Sequence, residues 1–223
     1  MTRADLRRQL RARRLALSYA ERARHARAMA RHLIHHPLFT AARRIAVYLP
    51  DRGEADPGPL VRAARAAGKD LYLPVLAPIH PRRLWFVAWE PHTPLIPNRF
   101  GIPEPPVRRR RCLPVRHLDL VITPLVGFDR RGNRLGMGGG FYDTTFSHLN
   151  RHRHWRRPHL VGMAYAFQEV PTLPHEPWDV PLHGVVTEQG LITCRPHPAL
   201  DTQDCPCPTH GPVNLCPWAN TPD

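Results

Sequence analysis

The chain has 223 residues, 42% of them hydrophobic, which suits one sizeable domain with its own core and argues against disorder along the whole chain. No window holds the ~20 consecutive apolar residues of a membrane span, and the amino-terminal segment lacks the apolar centre of a secretory signal, so we expect a cytoplasmic protein. The formal net charge is +14, and Lys69 is the one lysine among 32 basic residues, a bias that favours polyanions or anionic ligands.

The amino-terminal segment predicts two helices before any strand. Leucines and alanines recur at near-helical spacing opposite a face of arginines, which predicts an amphipathic helix over residues 3–17. The segment from Ser18 to Glu21 has the form of a capping box, in which each side chain binds a free backbone N–H group at the start of a helix. Pro37 limits this second helix.

From residue 45 onward, strands alternate with helices. Apolar runs predict strands at residues 45–49, 71–76, 84–89, 118–123, 160–164 and 185–187. A helix is predicted over residues 59–67 with Gly68 as its C-cap, another begins at Phe141, and the proline-rich segment 91–114 is predicted to be a long loop. This alternation predicts an α/β fold of three α/β/α layers with a mostly parallel, Rossmann-like sheet.

The composition changes near the end of the chain. We assign residues 1–195 to a single α/β domain and residues 196–223 to a tail rich in proline and cysteine, which we expect to be disordered. Enough ligands for zinc are present in the tail, although their spacing is not that of a standard finger or ribbon. They are Cys205, Cys207, His210 and Cys216. We expect the tail to be disordered and without bound metal, and the cysteine thiols to be reduced.

A glycine-rich stretch lies between the strand at 118–123 and the helix at Phe141. Residues 127–143 read G-F-D-R-R-G-N-R-L-G-M-G-G-G-F-Y-D and hold six glycines. Such turns bind phosphate, because backbone N–H groups can point inward unobstructed and the helix dipole favours anions. Arginines before the turn and Asp143 after it favour a nucleotide-phosphate site over a flexible surface loop.

The stretch differs from both common phosphate-binding sequences. A Walker A loop would end in Gly-Lys-Ser/Thr, whereas Gly140 is followed by Phe141 and no lysine is present. A dinucleotide fingerprint would need different glycine spacing and an acidic residue about twenty positions later.

The string FDRRGNRLGMGGGFYD, residues 128–143, closely resembles the signature of the 5-formyltetrahydrofolate cyclo-ligases, also called methenyltetrahydrofolate synthetases. The resemblance extends to R-A-D-L-R at residues 3–7, VYLPDRGEADPGPL at 47–60 and HEPWDVPLHGVVTE at 175–188. It covers about residues 1–195.

This resemblance implies an ATP-driven ring closure. In that reaction 5-formyltetrahydrofolate and ATP give 5,10-methenyltetrahydrofolate, ADP and phosphate, with Mg²⁺ as the metal. The formyl oxygen is a poor leaving group as water, so ATP phosphorylates it before the folate N10 attacks. We expect a monomer without nucleic-acid or membrane partners.

The resemblance assigns roles to individual residues. Catalytic roles fall on Arg134 and Asp143, and the metal is expected at Asp143 and Asp179. ATP contacts are expected at Arg3, Arg7, Arg134, Leu135, Gly136, Met137, Gly138, Gly139, Gly140, Phe141 and Tyr142. Substrate contacts are expected at Leu49, Glu54, Met137 and Phe141. The arginines would neutralise phosphate charge, and Glu54 would accept hydrogen bonds from pterin N–H groups.

Some positions depart from the family pattern, and other functions stay open. Arg3 stands where lysine is common. Met137 and Thr144 stand where some members have basic residues, and Phe141 where some have an aromatic hydroxyl. A nucleic-acid-binding protein would explain the arginines but not the glycine signature. A relative that binds folate or ATP without turnover is the third possibility.

Overall fold

A computed structural model describes residues 2–107, 112–151 and 157–194, with residue 151 described by its backbone only. The predicted tail, with Cys205, Cys207, His210 and Cys216, lies outside the described residues. No helix in the described part of the chain is both long and apolar enough to cross a membrane.

Capping side chains bind the first free N–H groups of the three amino-terminal helices. The helices are α1 (Arg3–Ala16), α2 (Tyr19–Ile34), α3 (Pro37–Thr40), α4 (Gly58–Ala66) and α5 (Phe141–Arg151). The predicted capping box of Ser18 and Glu21 is present at α2, and a second one, formed by Thr2 and Asp5, starts α1. Gly68 follows α4 with φ +65°, as its predicted position after a helix requires.

The strands are longest where the apolar pattern is strongest. They are β1 (Arg44–Ala46), β2 (Asp70–Leu76), β3 (Leu84–Ala88), β4 (Ile96–Pro97), β5 (Pro103–Glu104), β6 (Cys112–Leu113), β7 (Leu120–Pro124), β8 (Gly127–Phe128), β9 (Arg134–Leu135), β10 (His159–Met163), β11 (Gly184–Thr187) and β12 (Gly190–Thr193). β2 alternates buried and half-buried residues along its whole length.

The main sheet has eight strands in the order β12-β11-β10-β7-β1-β2-β3-β6. Its interior pairs from β11 to β2 are parallel, whereas β12, β3 and β6 pair antiparallel with their inner neighbours. α2 and α4 pack on one face and α5 packs on the other, each over its own apolar cluster. The prediction of an α/β fold with a mostly parallel sheet is confirmed.

One local prediction was wrong, and two local features were missed. The predicted loop at 91–114 contains the β4–β5 hairpin and β6, which pairs with β3. The glycine-rich stretch contains the β8–β9 hairpin, whose turn includes Gly132 at φ +91°. Strand β12 was not predicted and pairs with β11. These short strands depend on partners distant in sequence or on tight turns, so apolar periodicity alone does not mark them.

The parallel strands direct several loops to one edge of the sheet. Residues after β1, at the end of β2 and after β7 all reach this edge, because parallel strands share the direction of their carboxyl ends. α1 lies against the same region, where its Leu6 and Leu10 pack with Val126 and Leu135. The amino-terminal helix is therefore held beside the glycine-rich stretch.

Candidate active site

A cavity of about 1070 Å³ opens at this edge of the sheet. Its walls come from α1, the segment after β1, the β4–β5 hairpin, the glycine-rich stretch, the start of α5 and residues 176–179. The predicted site residues that line it are Arg3, Arg7, Leu49, Glu54, Arg134, Gly136, Met137, Gly138, Gly139, Gly140, Phe141, Tyr142, Asp143 and Asp179. The fold thus brings together segments that are far apart in sequence.

Leu135 is the one predicted site residue that does not line the cavity. Its side chain is fully buried beside Leu6, Leu10 and Val126. Its carbonyl accepts a hydrogen bond from the Val126 N–H at 2.7 Å. Leu135 therefore holds α1 against the β8–β9 hairpin, and the predicted ATP contact needs correction, because an apolar side chain facing leucines cannot reach the ligand.

The glycine residues before α5 leave open space for a ligand. Gly138 and Gly140 have φ values of +100° and +65°, which only glycine adopts cheaply. A Cβ built at Gly136, Gly138 or Gly140 would meet no atom within 4 Å. α5 begins at Phe141, directly after these glycines, so the positive end of its helix dipole faces the same space. This geometry suits an anion.

Two arginines from α1 approach the glycine turn. The Arg7 Nε donates a hydrogen bond to the Gly136 carbonyl oxygen at 2.8 Å, which ties α1 to the turn. Burial and then the nearby Arg3 lower the pKa of Arg7. Two neighbouring guanidinium groups repel each other, and a bound anion would relieve that repulsion. The pair therefore provides a cationic wall for the cavity.

Arg134 and Asp143 form an ion pair within the cavity wall. One Arg134 nitrogen donates to Asp143 Oδ1, and another donates to the Val180 carbonyl oxygen. The Val180 N–H also donates to Asp143 Oδ1, at 3.1 Å. The Arg134 side chain is 7% exposed, so this arrangement is well shielded from solvent. It fixes Asp143 at the start of α5 and joins it to the segment that carries Asp179.

Asp179 lies next to Val180 and has its own local support. Its Oδ2 accepts from the Glu176 N–H at 3.0 Å, and its N–H donates to the Glu176 carbonyl oxygen at 2.9 Å. Arg3 lies 4.0 Å from the same Oδ2. No group of three or more histidine, cysteine or acidic residues suited to a metal occurs in the described ranges. Asp143 and Asp179 could therefore supply at most a pair of carboxylates.

Another part of the cavity wall is built around Glu54. Its Oε2 accepts a hydrogen bond from the Asp51 N–H at 3.2 Å, and Leu49 lines the wall beside it. Burial raises the pKa of Glu54, while the Asp51 N–H and the Arg14 guanidinium oppose that shift. A buried carboxylate of this kind suits a ligand with paired N–H donors.

Several cavity residues were missed from the sequence. Arg14 is fully buried on α1 but lines the cavity. Phe100, in the β4–β5 turn, makes an edge-to-face contact with Phe141 at 5.9 Å between ring centroids. Arg82 and Arg83 precede β3. Of these residues, only Arg14 had a signal, since it stands where the Leu6 and Leu10 stripe would place another apolar residue.

The chain is similar to known proteins over most of its length. A model of the 5-formyltetrahydrofolate cyclo-ligase family matches residues 1–188. The 5-formyltetrahydrofolate cyclo-ligase of Escherichia coli strain K12 is 42% identical over 178 residues, which cover 80% of this chain and 96% of the relative. That of Haemophilus influenzae is 43% identical over 147 residues, 65% of this chain and 75% of the relative.

The fold agrees with a solved relative. The NMR structure of the Aquifex aeolicus 5,10-methenyltetrahydrofolate synthetase matches with a TM-score of 0.71 and 30% identity, covering 88% of this chain and 95% of that one. Sequence and fold agree over the whole region that forms the cavity. The chain therefore belongs to the 5-formyltetrahydrofolate cyclo-ligase family.

Proposed function

We propose that this protein converts 5-formyltetrahydrofolate and ATP into 5,10-methenyltetrahydrofolate, ADP and phosphate. Family membership supports the ring closure, and the shape of the cavity supports the use of ATP. One continuous cavity is lined both by the glycine turn, whose geometry suits an anion, and by the Glu54 carboxylate. A reaction that transfers a phosphoryl group from a nucleotide to a folate needs both substrates side by side in one cavity.

The glycine turn is proposed to hold the ATP phosphates. Backbone N–H groups at Gly138, Gly139 and Gly140 and the start of α5 would face the phosphates. Arg3 and Arg7 would neutralise charge that spreads over the phosphoryl oxygens during transfer. The Arg7 bond to the Gly136 carbonyl keeps its guanidinium at this position before the nucleotide arrives.

The chemistry proposed has two steps. The formyl oxygen of the folate attacks the terminal phosphorus, the bond from that phosphorus to ADP breaks, and the formyl carbon becomes an activated iminium phosphate. N10 then attacks this carbon, inorganic phosphate leaves with the former formyl oxygen, and N10 loses its proton. Arg134 is proposed to stabilise the phosphoryl group, because its guanidinium lies beside Asp143 at the start of α5.

Glu54 and its neighbours are proposed to orient the folate. The Glu54 carboxylate would accept hydrogen bonds from pterin N–H groups, and Leu49 would line the pterin slot. Phe141, Tyr142 and Met137 add apolar area to the wall of the same cavity. Holding the formyl oxygen against the terminal phosphate in this way supplies proximity, which accounts for much of the acceleration in such reactions.

Asp143 and Asp179 are proposed to hold Mg²⁺. Mg²⁺ takes oxygen ligands, keeps several waters and needs only one or two protein carboxylates, so this donor set fits it. The hydrogen bonds that the Asp143 carboxylate accepts from Arg134 and from the Val180 N–H both end on Oδ1. When bound, the ion would neutralise charge on the transferring phosphate. Asp143 Oδ2 and the Asp179 carboxylate are the oxygens that would face it.

The proposed function is tested by product formation. Purified protein is mixed with 5-formyltetrahydrofolate and MgATP, and the near-ultraviolet absorbance of the methenyl product is followed together with phosphate release. We expect product only when ATP and Mg²⁺ are both present. Nucleotide or folate binding without product would instead show a binding protein without turnover. Light scattering of the same sample tests our proposal that the active form is a monomer.

A further inference from the structure

Arg14 is a fully buried charged residue in the last turn of α1, with 1% of its surface exposed. It follows Leu6 and Leu10 on the buried side of the helix. Those leucines pack against other apolar residues, whereas Arg14 borders the cavity. Burying a guanidinium is costly unless it has hydrogen bonds or a charged partner, so its contacts identify its role.

The Arg14 guanidinium faces the segment that carries Glu54. Its Nε donates to the Arg52 carbonyl oxygen at 3.1 Å, and its NH1 lies 3.7 Å from Glu54 Oε1. That NH1 is buried and makes no hydrogen bond within the described residues. The charged donor therefore stands just beyond bonding distance of the carboxylate, and a small movement of either group would join them.

The segment around Glu54 has an unusual backbone that keeps it close to α1. Arg52 has φ +46° and Gly53 has φ +76°. A Cβ at Gly53 would lie 3.2 Å from the Arg14 carbonyl oxygen, which is tighter than ordinary contact. Left-handed backbone at a residue other than glycine persists only where its surroundings impose it. The hydrogen bond from Arg14 to the Arg52 carbonyl is one such constraint.

We propose that Arg14 is a positioning residue for folate binding, which orients the Glu54 carboxylate and keeps it charged so that it can accept hydrogen bonds from the pterin. This inference rests on the proposed function. Arg14 acts through Glu54 and through the Arg52 carbonyl, and it does not take part in phosphoryl transfer. Its removal should weaken folate binding and leave ATP use almost unchanged.

A set of variants tests this role. Arg14→Met keeps most of the side-chain volume and removes the charge, and Arg14→Lys keeps the charge but loses the planar fork. We expect Arg14→Met to raise the KM for 5-formyltetrahydrofolate about tenfold or more, the scale of a lost charged hydrogen bond. Arg14→Lys should recover part of the loss. kcat and the KM for ATP should change by less than about twofold if only ground-state folate binding is affected.

Arg13→Met is the matched control on the same helix. Arg13 lies over the Phe167 ring at 4.6 Å and does not line the cavity. This variant removes the same kind of charge from the adjacent position. We expect its kinetics to match the unmodified protein, and a thermal melt of every variant checks that α1 remains folded.

The pH dependence provides a second readout. The titratable and charged groups around Glu54 are Arg14 on α1, Tyr48 and Asp51 in the segment after β1, Tyr142 on α5, and Tyr165, whose hydroxyl donates to the Glu54 carbonyl oxygen. Among them only Arg14 is a cation, so its loss should raise the pKa of Glu54 further above its ordinary range. The KM defect of Arg14→Met should therefore grow as the pH is lowered, because protonation of Glu54 removes the acceptor of the pterin hydrogen bonds.

A double-mutant cycle decides whether Arg14 works through Glu54. In a Glu54→Gln background, we expect Arg14→Met to change the folate KM by less than about twofold, because the partner is already neutral. An equal effect of Arg14→Met in both backgrounds would overturn the proposal, as would equal losses for ATP and folate.

A direct measurement separates this proposal from the proposed function. The titration of the Glu54 carboxyl is followed by NMR in glutamate-labelled protein and assigned with Glu54→Gln. Arg14→Met, or Arg14→Gln if the former does not fold, should raise the Glu54 midpoint even in a protein that makes no methenyl product. An unchanged midpoint would refute the coupling, whereas absence of product with a shifted midpoint would refute only the proposed function.

Discussion

Gly138 shows at the scale of one residue how backbone shape limits what the glycine turn can hold. Its φ of +100° is strained for any residue with a Cβ, although a Cβ there would meet no other atom within 4 Å. The strain and the open space therefore have different consequences. Strain affects folding, and loss of the open space affects the ligand.

We predict that Gly138→Ala will raise the KM for ATP by about tenfold to a hundredfold, because the added methyl group would displace the phosphate that we propose forms charge-assisted hydrogen bonds with the backbone N–H groups. Gly68→Ala is the matched control. Gly68 also has positive φ and open space, but it follows α4 and does not line the cavity. Both variants should lose about 1 kcal/mol of unfolding free energy from strain, and only the first should lose nucleotide affinity.

Gly139 is a less suitable position for this test. A Cβ at Gly139 would lie 2.6 Å from Phe141 Cε2, so a substitution there must move the Phe141 ring. Phe141 borders the part of the cavity proposed for folate, so a substitution at Gly139 would affect both substrates.

The Gly138→Ala prediction is checked by calorimetric titration with a non-hydrolysable ATP analogue. If Gly138→Ala and the unmodified protein bind the analogue with equal affinity, the physical basis for a phosphate site is removed.

Arg134 allows a second prediction at this scale. Arg134→Met should lower kcat about a hundredfold, the scale of removing one group that stabilises transition-state charge, and should lower the melting temperature because Asp143 loses its ion-pair partner. Arg130→Met is the control, since Arg130 pairs with Glu169 at an exposed position, where ion pairs contribute little. Similar activity losses in both variants, measured by steady-state kinetics, would contradict the role of Arg134.

The role of a residue could be predicted only where that residue stands in a sequence motif that resembles the family. The glycine turn, Arg134, Asp143 and Glu54 stand in strings that resemble the family, and the cavity brings them together. Arg14 stands in an apolar stripe instead, and the sequence does not show that Glu54 lies beside it. A contact between residues 14 and 54 is a property of the folded chain.

At the scale of secondary-structure elements, Asp119 is the clearest example, because its carboxylate connects several of them. Its Oδ2 accepts from the N–H groups of Arg43 and Arg44 at 3.0 and 2.9 Å, and its Oδ1 accepts from Arg157 at 2.6 Å. Burial would raise the pKa of Asp119, but the Arg44 and Arg43 N–H groups and then Arg157 together lower it below its ordinary value. This carboxylate holds the starts of β1 and β7 together.

We predict that Asp119→Asn will lower the free energy of unfolding by about 1–3 kcal/mol near pH 7, as charged hydrogen bonds are lost. Because the folded-state pKa of Asp119 is depressed, its contribution is present above the unfolded value of 3.8 and lost as pH falls through the folded pKa. The difference between variant and unmodified protein should therefore shrink below about pH 4. Urea unfolding at several pH values measures it, and a pH-independent difference would show another cause.

Helices and strands could be predicted where they are long and have a clear apolar periodicity. The periodic segments that became α1, α2 and β2 were predicted within a few residues. β4 and β5 have only two residues each and contain prolines, so neither alternation nor propensity marks them. Their pairing depends on a turn at Asn98, whose side chain accepts from the Phe100 and Ile102 N–H groups.

For the whole molecule, the strand order of the sheet could not be derived from the sequence. The α/β class follows from alternation, but the position of β1 between β2 and β7 reflects which faces pack together. The cavity depends on that order, because it brings the segment after β1 next to the loops after β7. Resemblance identified which residues meet, and only the fold shows how they contact each other.

The domain boundary gives a prediction for the whole chain. We propose that the catalytic domain ends near residue 195, so a chain ending at Arg195 should keep its activity and melting temperature. Cys194 is buried in the core and β12 pairs with β11, so a control chain that ends before Gly190 should lose stability. Kinetics and thermal melts of both measure this. Lower activity or stability in the longer truncation product would show that residues 196–223 support the domain.

The cavity walls extend in sequence from Arg3 to Asp179, and this has a consequence for biosynthesis. The ribosome releases the α1 arginines, which we propose bind phosphate, well before the Asp179 segment. No substrate pocket exists on a nascent chain until most of the domain has emerged, so neither folate nor nucleotide can guide early folding. Substrate abundance would then protect finished molecules from unfolding and degradation without raising the yield of newly made ones.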